Sequence, residues 1–341
     1  MKKIIIVTDV WPSQVTGVVT VFARMTKLLE ERGIRVIVVN PLMFRRVYPF
    51  PLYPEQPFAI FPGKQMQGIF EREKPDAVHI ATEWPIGLSA RNYCLRKKIP
   101  FTTSYHTNFP LYAAHYFKWA KFLASIASLY MHWFHRAAEK MLVSTESLKK
   151  KLESEGYSNV VVWPFGIDAE LFERDEKHTS NRARALPKPV FVYFGRVSTE
   201  KNVSEFAALS LPGTKLVIGD GPLRKQLERK YPDTLFIGYR RKQELVDWLS
   251  ACDVCVFPSR TETFGMAVLE ALACGLPVAA HDVLGPRDMI TDGIEGFLDE
   301  DLGRAAQKCL NLSRETCRAK ALTYSWNTSA DIFIKHCGLS D

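Results

Sequence analysis

The sequence predicts an α/β protein of two doubly wound, Rossmann-like parallel-sheet domains that face a cleft, and three observations point to this fold class. The chain has 341 residues, of which 47% are hydrophobic, and this is enough for two domains with separate cores. Short β-branched runs alternate with helical patterns in both halves of the chain. Between the halves, residues 174–188 are polar and lack apolar periodicity, as an exposed linker would.

The first half opens with a β-α-β unit. Residues 3–7 form a short apolar run, residues 19–32 have helical spacing, and Gly33 ends that helix before the next run at 34–39. Further strands are predicted at 77–80, 101–104 and 141–143. We therefore expect an N-terminal domain of residues 1–165 with a parallel sheet that helices cover on both faces.

The same alternation restarts after a linker that we place at residues 166–188. Helices are expected near Lys201, Leu223, Arg241 and Phe264. Strands are predicted at 190–194, 215–218, 234–237, 253–257 and 277–280. Doubly wound sheets bind ligands at the carboxyl ends of their strands, so the cleft between this domain, residues 189–323, and the first one is the expected active site.

Composition limits where the protein works. The longest nearly uninterrupted apolar run, residues 122–134, is too short to cross a bilayer and contains His132, so no transmembrane helix is expected. The apolar run near the amino terminus is followed at once by Asp9 and by no small-residue cleavage site, which argues against a secretion signal. We expect a soluble protein of the cytoplasm.

The cysteines and the net charge restrict the chemistry further. The seven cysteines are scattered over apolar segments, which favours reduced, buried thiols. Cys252 and Cys255 have the spacing of a zinc or redox pair, but they lie in an apparent buried strand without a second pair. The net charge of +8 favours a polyanionic partner: nucleic acid, an anionic membrane or a phosphorylated small molecule.

Two carboxylates and two cations occur near strand ends in the second half. Phe264 would lie at a helix start, where the backbone N–H groups favour an anion, with Glu262 just outside the helix and Glu270 about two turns inside it. Arg196 and Lys201 follow the first strand of the same domain. Taken singly, Arg196 and Lys201 would be interpreted as residues of a solvated loop, and Glu270 as a residue of a helix surface. Together they form an anion pocket between two groups that accept sugar hydroxyls, which describes a nucleoside diphosphate sugar.

These residues carry a resemblance to a known family. The sequence resembles the retaining glycosyltransferases of the GT-B fold, in glycosyltransferase family four, in three places. These are the motif from Glu262 to Glu270 with its continuation to Val278, the Gly219-Asp220-Gly221 turn and the closing Tyr324-Ser325-Trp326. The resemblance covers almost the whole chain. It implies that residues 324–341 form a final helix that crosses back to the N-terminal domain, and that closure of the domains gates turnover.

The resemblance also implies roles for individual residues. Arg196 and Lys201 would hold the diphosphate, Glu262 the hydroxyls of the donor sugar, Glu270 the ribose, and His106 would reach the donor sugar; a lone histidine without this context would be read as structural. The catalytic residues would be His106, Arg196, Lys201 and Glu262. The donor site would comprise Gly17, Gly195, Arg196, Lys201, Gly219, Glu262, Thr263, Phe264, Gly265 and Glu270.

The family mechanism implies no cofactor and no metal. The nucleoside diphosphate would leave while the acceptor hydroxyl attacks from the same face, and the leaving phosphate would take the proton. Two fixed cations would replace a metal. Residues 299–301 have the Asp-x-Asp pattern of a metal site, but they lie beyond the donor motifs and are interpreted as an ordinary helix start.

The acceptor is indicated by weaker similarities in the first half. Residues 48–55 and 78–88 resemble those of bacterial mannosyl- and glucosyltransferases that act on lipids, and they place Tyr53 and Glu83, with Tyr105 nearby, on the acceptor side. A membrane lipid or lipid-linked glycan is therefore the expected acceptor. The aromatic and basic segment 116–134 would dock on an anionic membrane, which implies a peripheral location at the inner face of the cytoplasmic membrane.

Other interpretations stay open. Residues of segment 116–134 also follow the spacing of a buried core helix: Trp119, Phe122, Leu123, Ile126, Leu129, Tyr130 and Trp133. The acceptor could be soluble or a polysaccharide, and the protein could be a non-catalytic module that binds sugar nucleotides. A nicotinamide dehydrogenase would need a Gly-x-Gly-x-x-Gly turn, which neither half supplies, and no nucleic-acid motif is present.

Overall fold

A computed structural model describes residues 1–10, 17–50, 53–106, 121–174 and 181–340. The chain divides into two units. The first unit contains residues 1–165 and 326–341, and the second contains residues 166–325. Each unit has its own sheet, and we describe each by itself.

The first unit is built on a parallel sheet whose described strands follow the order β2-β1-β5-β6-β7-β8. Its strands are β1 (Lys3–Val7), β2 (Arg35–Val39), β5 (Ala77–Ile80), β6 (Thr102–Ser104), β7 (Lys140–Val143) and β8 (Val160–Val162). A separate antiparallel hairpin, β3 (Val47–Phe50) and β4 (Tyr53–Ala59), interrupts the alternation. The sequence pattern does not predict this hairpin or β8. The hairpin contains prolines and β8 has only three residues, and both features weaken the strand pattern in the sequence.

Helices cover both faces of this sheet. Those described are α1 (Gly17–Glu31), α2 (Gly63–Glu73), α3 (Pro85–Lys97), α4 (Lys121–His135), α5 (Glu146–Ser154) and the last helix of the chain, α14 (Trp326–His336). Crossovers between parallel strands are right-handed. The strand order advances from β5 to β8, so α3, α4 and α5 are expected side by side on one face. α1 and α14 cover the other face.

α14 is fixed to the first unit by buried and charged contacts. Phe333 is fully buried, and its ring centroid lies 5.0 Å from that of Trp163. The indole of Trp163 donates to the carbonyl of Ser329 at 3.0 Å. Arg32, just after α1, pairs with Asp331 at 2.5 Å. The carboxyl-terminal residues therefore belong to the core of the unit that begins the chain.

The second unit repeats the architecture, with described strands in the order β11-β10-β9-β12-β13-β14, all parallel. The strands are β9 (Val190–Phe194), β10 (Thr214–Ile218), β11 (Thr234–Gly238), β12 (Val254–Phe257), β13 (Val278–Ala280) and β14 (Gly296–Leu298). The helices are α6 (Asn181–Arg184), α7 (Val203–Ala208), α8 (Arg224–Lys230), α9 (Lys242–Leu249), α10 (Met266–Ala273), α11 (Pro286–Met289), α12 (Leu302–Cys309) and α13 (Arg314–Leu322).

Part of the expected linker is structured. Residues 181–184 form α6, and Ala183 within it is fully buried. Arg174 donates from Nε to the carbonyl of Ser250 at 3.3 Å. Ala183 is therefore an exception to the expected exposed linker, whereas Arg184 and Ala185 beside it are exposed.

Two negative findings concern the described residues. All seven cysteines are buried and free of disulfides, and burial raises the pKa of the Cys252 and Cys255 thiols. Across the described parts of the chain, no helix combines the length and the apolarity needed to cross a bilayer.

Candidate active site

The loop after β12 enters α10 through a glycine. Gly265 has a φ of 94°, a left-handed conformation that favours glycine, and it caps the helix. Glu262 Cγ lies 3.6 Å from the position that a Cβ on Gly265 would take, so this carboxylate stands beside the helix start. The helix begins at Met266. Glu270 is therefore about one turn inside the helix. The expected position two turns inside it is wrong, because the residues up to Gly265 still belong to the loop and the helix begins only after them.

The structure brings two predicted site residues into direct contact. Lys201 Nζ donates to Glu262 Oε2 at 2.6 Å, and Glu262 Oε1 accepts from the backbone N–H of Thr263 at 3.3 Å. Lys201 ends a short 3-10 turn that follows β9, and Glu262 follows β12. These strands are neighbours at the centre of the sheet. A cation and a carboxylate thus meet at the carboxyl ends of adjacent strands.

Backbone contacts fasten the two loops to each other. The hydroxyls of Ser259 and Thr261 donate to the carbonyl of Glu200, at 3.4 and 3.3 Å. Asn202 Nδ2 donates to the carbonyl of Pro258 at 3.3 Å. Lys201 is flanked on both sides by these contacts, so its position relative to Glu262 is set by the main chain as well as by the ion pair.

Arg196 lies on a loop that packs backbone against backbone. The Tyr193 hydroxyl donates to the carbonyl of Arg196 at 2.7 Å. A Cβ on Gly219 would lie 1.8 Å from the carbonyl oxygen of Gly195, and one on Gly221 would lie 2.4 Å from that of Val197. The absence of side chains at Gly219 and Gly221 therefore lets the turn after β10 pack closely against the loop that carries Arg196. Close packing explains why both positions are glycine.

Glu270 has an unusual electrostatic environment. Burial raises its pKa to about 8, although part of the side chain still meets solvent. Within the described residues, no hydrogen bond or ion pair is found at its carboxyl group. A partly buried carboxyl group of this kind is suited to accept hydrogen bonds from a ligand, and ionised carboxylates accept them best.

His281 is a site neighbour that the sequence analysis missed. It follows β13, is fully buried, and places Nδ1 3.2 Å from the carbonyl oxygen of Asp299 and Nε2 3.1 Å from Glu205 Oε1. Both partners are hydrogen-bond acceptors, so His281 links the Glu205 side chain to the backbone at Asp299. Glu205 in turn accepts from Asn202, the residue after Lys201. The available signal was a polar residue directly after a buried strand.

His106 follows β6 in the first unit and lies among aromatic rings. Its ring centroid is 5.4 Å from that of Phe22, 5.9 Å from Phe165 and 6.3 Å from Trp163. Burial, with a smaller contribution from His135, lowers the pKa of His106 to about 3. The imidazole is therefore neutral near pH 7.

The residues expected on the acceptor side are largely interior. Glu83 is buried, and its Oε1 lies 3.2 Å from His135 Nε2. Tyr105 is buried against the His135 ring at 5.7 Å between centroids, and burial raises its pKa. The side chain of Tyr53 lies outside the described residues, as does the loop 11–16 that precedes Gly17. Gly17 itself is the first residue of α1.

Asp9 was also missed as a structural anchor. It follows β1 and accepts from the N–H groups of Ile86 and Gly87, at 2.8 and 3.1 Å, and from the Thr82 hydroxyl at 2.8 Å. Burial raises its pKa to about 6, partly offset by these bonds. Asp9 thus holds the start of α3 at the carboxyl end of β1. A carboxylate directly after a buried strand was the signal in the sequence.

The Asp-x-Asp segment serves a helix. Asp301 caps α12 by accepting from the N–H of Arg304 at 3.0 Å, as the sequence analysis expects. Asp299 pairs with the Arg304 guanidinium at 2.7 Å, which lowers the pKa of Asp299 to about 2. Among the residues that the structure describes, no group of three or more histidine, cysteine or carboxylate side chains could hold a metal ion.

Solved structures show the same fold. The Anabaena protein HepE in complex with UDP and glucose superimposes with a TM-score of 0.69 at 18% identity, covering 98% of this chain and 99% of that one. Sucrose-phosphate synthase from Thermosynechococcus elongatus gives a TM-score of 0.75 at 18% identity, with 98% of each chain covered. The fold is therefore GT-B.

Curated relatives share more of the sequence. A GDP-mannose-dependent alpha-mannosyltransferase of Mycobacterium tuberculosis is 32% identical over 78% of this chain and 69% of its own length. A sulfoquinovosyl transferase of Arabidopsis thaliana is 30% identical over 83% of this chain and 60% of its own length. An alpha-monoglucosyldiacylglycerol synthase of Streptococcus pneumoniae is 26% identical over 89% of this chain and 77% of its own length.

Family models divide the chain much as its two units do. The model described as Glycosyltransferase Family 4 matches residues 15–171, and the model described as Glycosyl transferases group 1 matches residues 188–315, which include Lys201, Glu262 and Glu270. With these matches and the relatives above, the chain belongs to glycosyltransferase family 4 and is an enzyme that transfers a sugar from a nucleotide sugar.

Proposed function

We propose that the protein is a retaining hexosyltransferase that moves a hexose from UDP-hexose or GDP-hexose to a hydroxyl group of a membrane lipid or lipid-linked glycan. The observation that carries the donor half is the contact between Lys201 and Glu262 beside the start of α10. The name of one relative supports the acceptor half, since it is an alpha-monoglucosyldiacylglycerol synthase.

The donor roles follow from charge and hydrogen-bonding capacity. An ammonium group has three N–H donors, so Lys201 can donate one hydrogen bond to Glu262 and another to a phosphate oxygen of the donor. Arg196 supplies a second cation for the diphosphate, and Glu262 accepts from hydroxyls of the hexose. Glu270 accepts from the ribose. The helix start at Gly265 adds backbone N–H groups near the same anion.

The proposed reaction needs electrostatic help more than a protein base. When the bond between the hexose and the diphosphate breaks, negative charge grows on the leaving phosphate, and Arg196 and Lys201 stabilise it without a metal ion. The acceptor hydroxyl attacks from the face that the phosphate leaves, and the phosphate takes its proton. His106, neutral near pH 7, gives a hydrogen bond to the donor sugar.

Activity assays test the donor half. The protein is incubated with a panel of UDP-hexoses and GDP-hexoses and detergent-dispersed membrane lipid, and released nucleoside diphosphate and glycolipid are measured. We expect one donor to be used, retention of the anomeric configuration in the product, and a loss of at least about a hundredfold in kcat/KM for Lys201→Ala and Glu262→Ala. Glu31→Ala, which removes an exposed Lys27–Glu31 pair on α1, is the matched control and keeps full activity.

The outcome can contradict the proposal in two ways. Unchanged transfer in Lys201→Ala and Glu262→Ala would show that the donor site is wrong. Transfer only to a soluble sugar or a polysaccharide would overturn the lipid acceptor while leaving the donor site intact. We also propose that the enzyme works at an anionic membrane surface on the cytoplasmic side, which its net charge of +8 supports.

A further inference from the structure

We propose that the outer face of α4 is the surface with which the protein docks on a bilayer that contains anionic lipid. This inference rests on the proposed function, because a membrane-lipid acceptor requires the enzyme to reach a bilayer. It goes beyond that function by naming the docking residues.

Four large apolar side chains form an exposed row on α4, which we call the α4 stripe. Phe122 is 62% exposed, Ile126 56%, Leu129 71% and Trp133 38%. Their spacing of four, three and four positions puts them on one face of the helix. A row of this length on a 15-residue helix is more than scattered surface hydrophobes, which need no explanation.

The opposite side of the same helix is the one that packs on the sheet. Met131, Phe134 and His135 are buried, and Phe134 belongs to the core cluster of the first unit. The helix is therefore apolar both toward the core and toward solvent, and its outward face is not needed for folding. The buried-helix interpretation holds for the inner face alone.

The last member of the stripe is held in place by a buried arginine. The Arg91 guanidinium lies 3.7 Å from the centre of the Trp133 ring, and Arg91 donates to the carbonyls of Trp133 and Phe134 at 2.8 and 3.0 Å. A fixed tryptophan at the edge of an apolar row matches the preference of this side chain for the boundary between headgroups and acyl chains.

The helix that carries the stripe and the helix before it contain basic but no acidic side chains. Residues 85–98, which form α3 and its end, and residues 121–136, which form α4 and its end, contain no aspartate or glutamate. Arg96, Lys97 and Lys98 are exposed at the end of α3, and Arg136 is exposed at the end of α4. Glu139 and Phe101 share a backbone hydrogen bond at 2.9 Å, which places both helix ends at the same edge of the sheet.

The basic side chains beside the α4 stripe indicate which partner binds this surface. In a symmetric dimer through the stripe, neither α3 nor α4 of the second copy would offer a carboxylate to these basic residues. An anionic bilayer instead attracts the basic edge while it takes up the apolar row, and both effects act in the same direction. Lipid surface is therefore the partner whose chemistry fits both features.

Vesicle binding of the full chain tests the stripe. The probes are vesicles of phosphatidylcholine mixed with phosphatidylglycerol and vesicles of phosphatidylcholine alone, in a flotation assay without donor. We expect binding to the mixed vesicles and a fall of about tenfold or more in affinity for the triple variant Phe122→Gln, Ile126→Gln, Leu129→Gln. The matched control is Leu235→Gln, Ile294→Gln, Leu322→Gln, which removes exposed apolar side chains of the second unit and keeps binding unchanged.

A second set of variants tests the charge. Arg96→Gln, Lys97→Gln and Lys98→Gln remove exposed cations, and each is expected to lower affinity for the mixed vesicles by about fivefold, with a smaller effect as salt is added. Circular dichroism and nucleotide binding check that the variants are folded. Both variant sets should keep transfer to a short-chain, soluble acceptor, since none of these residues belongs to the proposed donor site.

The results separate this inference from the proposed function. Wild-type protein that binds neither vesicle, or a triple variant that binds as the wild type does, would overturn the docking surface. A dimer in light scattering that the triple variant dissociates would also overturn it, in favour of a second copy. None of these results alters glycosyl transfer to detergent-dispersed lipid, whereas absence of that transfer with intact vesicle binding would overturn the proposed function alone.

Discussion

Lys201 and Glu262 lie 61 positions apart in the chain and 2.6 Å apart in space. Both side chains are partly exposed, so the pair adds at most about 1 kcal/mol to the free energy of unfolding. Its larger effect is geometric. Each side chain keeps the other directed toward the start of α10, and a ligand that binds there finds both groups already placed, which reduces the entropy cost of binding.

Glu270 gives the first residue-scale prediction. Its pKa is raised to about 8, and hydroxyl groups of a ribose bind best to the ionised form, so binding of the nucleotide should release a proton. We expect the Kd for GDP or UDP to fall as the pH rises toward about 8 and to level off above it, by up to about tenfold per pH unit below the pKa. Isothermal titration calorimetry in buffers of different ionisation enthalpy measures both the Kd and the released proton.

Glu270→Gln is the control for this pH dependence. Its amide cannot ionise, so its affinity should be weaker at high pH and nearly constant across the range. A wild-type Kd that does not change between about pH 6 and about pH 9 would contradict the assignment of Glu270 to the ribose.

At the scale of elements, the loops after β9 and β10 depend on glycine for their contact. Gly219→Ala should lower the stability of the second unit by about 2–3 kcal/mol and weaken nucleotide binding, because the new Cβ would collide with the carbonyl oxygen of Gly195. Gly293→Ala is the matched control: Gly293 also has a positive φ, of 79°, but a Cβ there meets only ring atoms at 3.9 Å. Urea unfolding and nucleotide titration compare the two variants, and equal losses would exclude the backbone collision as the cause.

His281 gives a second prediction at this scale. The His281–Glu205 pair supports Asn202 and, through the chain, the loop of Lys201. His281→Leu should raise the KM for the donor about tenfold with a smaller change in kcat, because the loop loses its support while the chemical groups remain. His281→Gln, which keeps one donor, should recover part of the affinity. A fall in kcat alone, with an unchanged KM, would argue against a positioning role.

At the scale of the whole molecule, the chain leaves its first unit and returns to it. Phe333 of α14 is fully buried against Trp163, whereas Phe206 of α7 is fully buried in the core of the second unit. Phe333→Ala should lower the free energy of unfolding of the first unit by about 3–5 kcal/mol, because it leaves a cavity in the core. Phe206→Ala should lower that of the second unit by about as much. Hydrogen exchange with peptide mapping assigns each loss to residues 1–165 or to residues 166–325. Faster exchange of the second unit in Phe333→Ala would contradict the division.

Much of the fold was predictable because its signals are local. Alternating β-branched runs and helical spacing are properties of a few consecutive residues, and β1, β5 and β9 have the bounds that the sequence predicts. The misses were elements with little local signal: the proline-containing hairpin of β3 and β4, and the three-residue strands β8 and β14. Lys201 and Glu262 were predictable because a motif accompanies their places after strands, whereas His281 and Asp9 follow strands without such a motif and were missed.

By itself the sequence determined the alternation of strands and helices in both halves, the family motif and the chemical types of the expected donor residues. Only the tertiary structure decided which of them meet, that Glu83 and Tyr105 lie inside, that His281 supports the Lys201 loop, and which apolar face of α4 remains exposed. The physical reason is that helical spacing fixes the direction of a side chain relative to its own helix. Its burial depends on which other elements, distant in the chain, pack against that side.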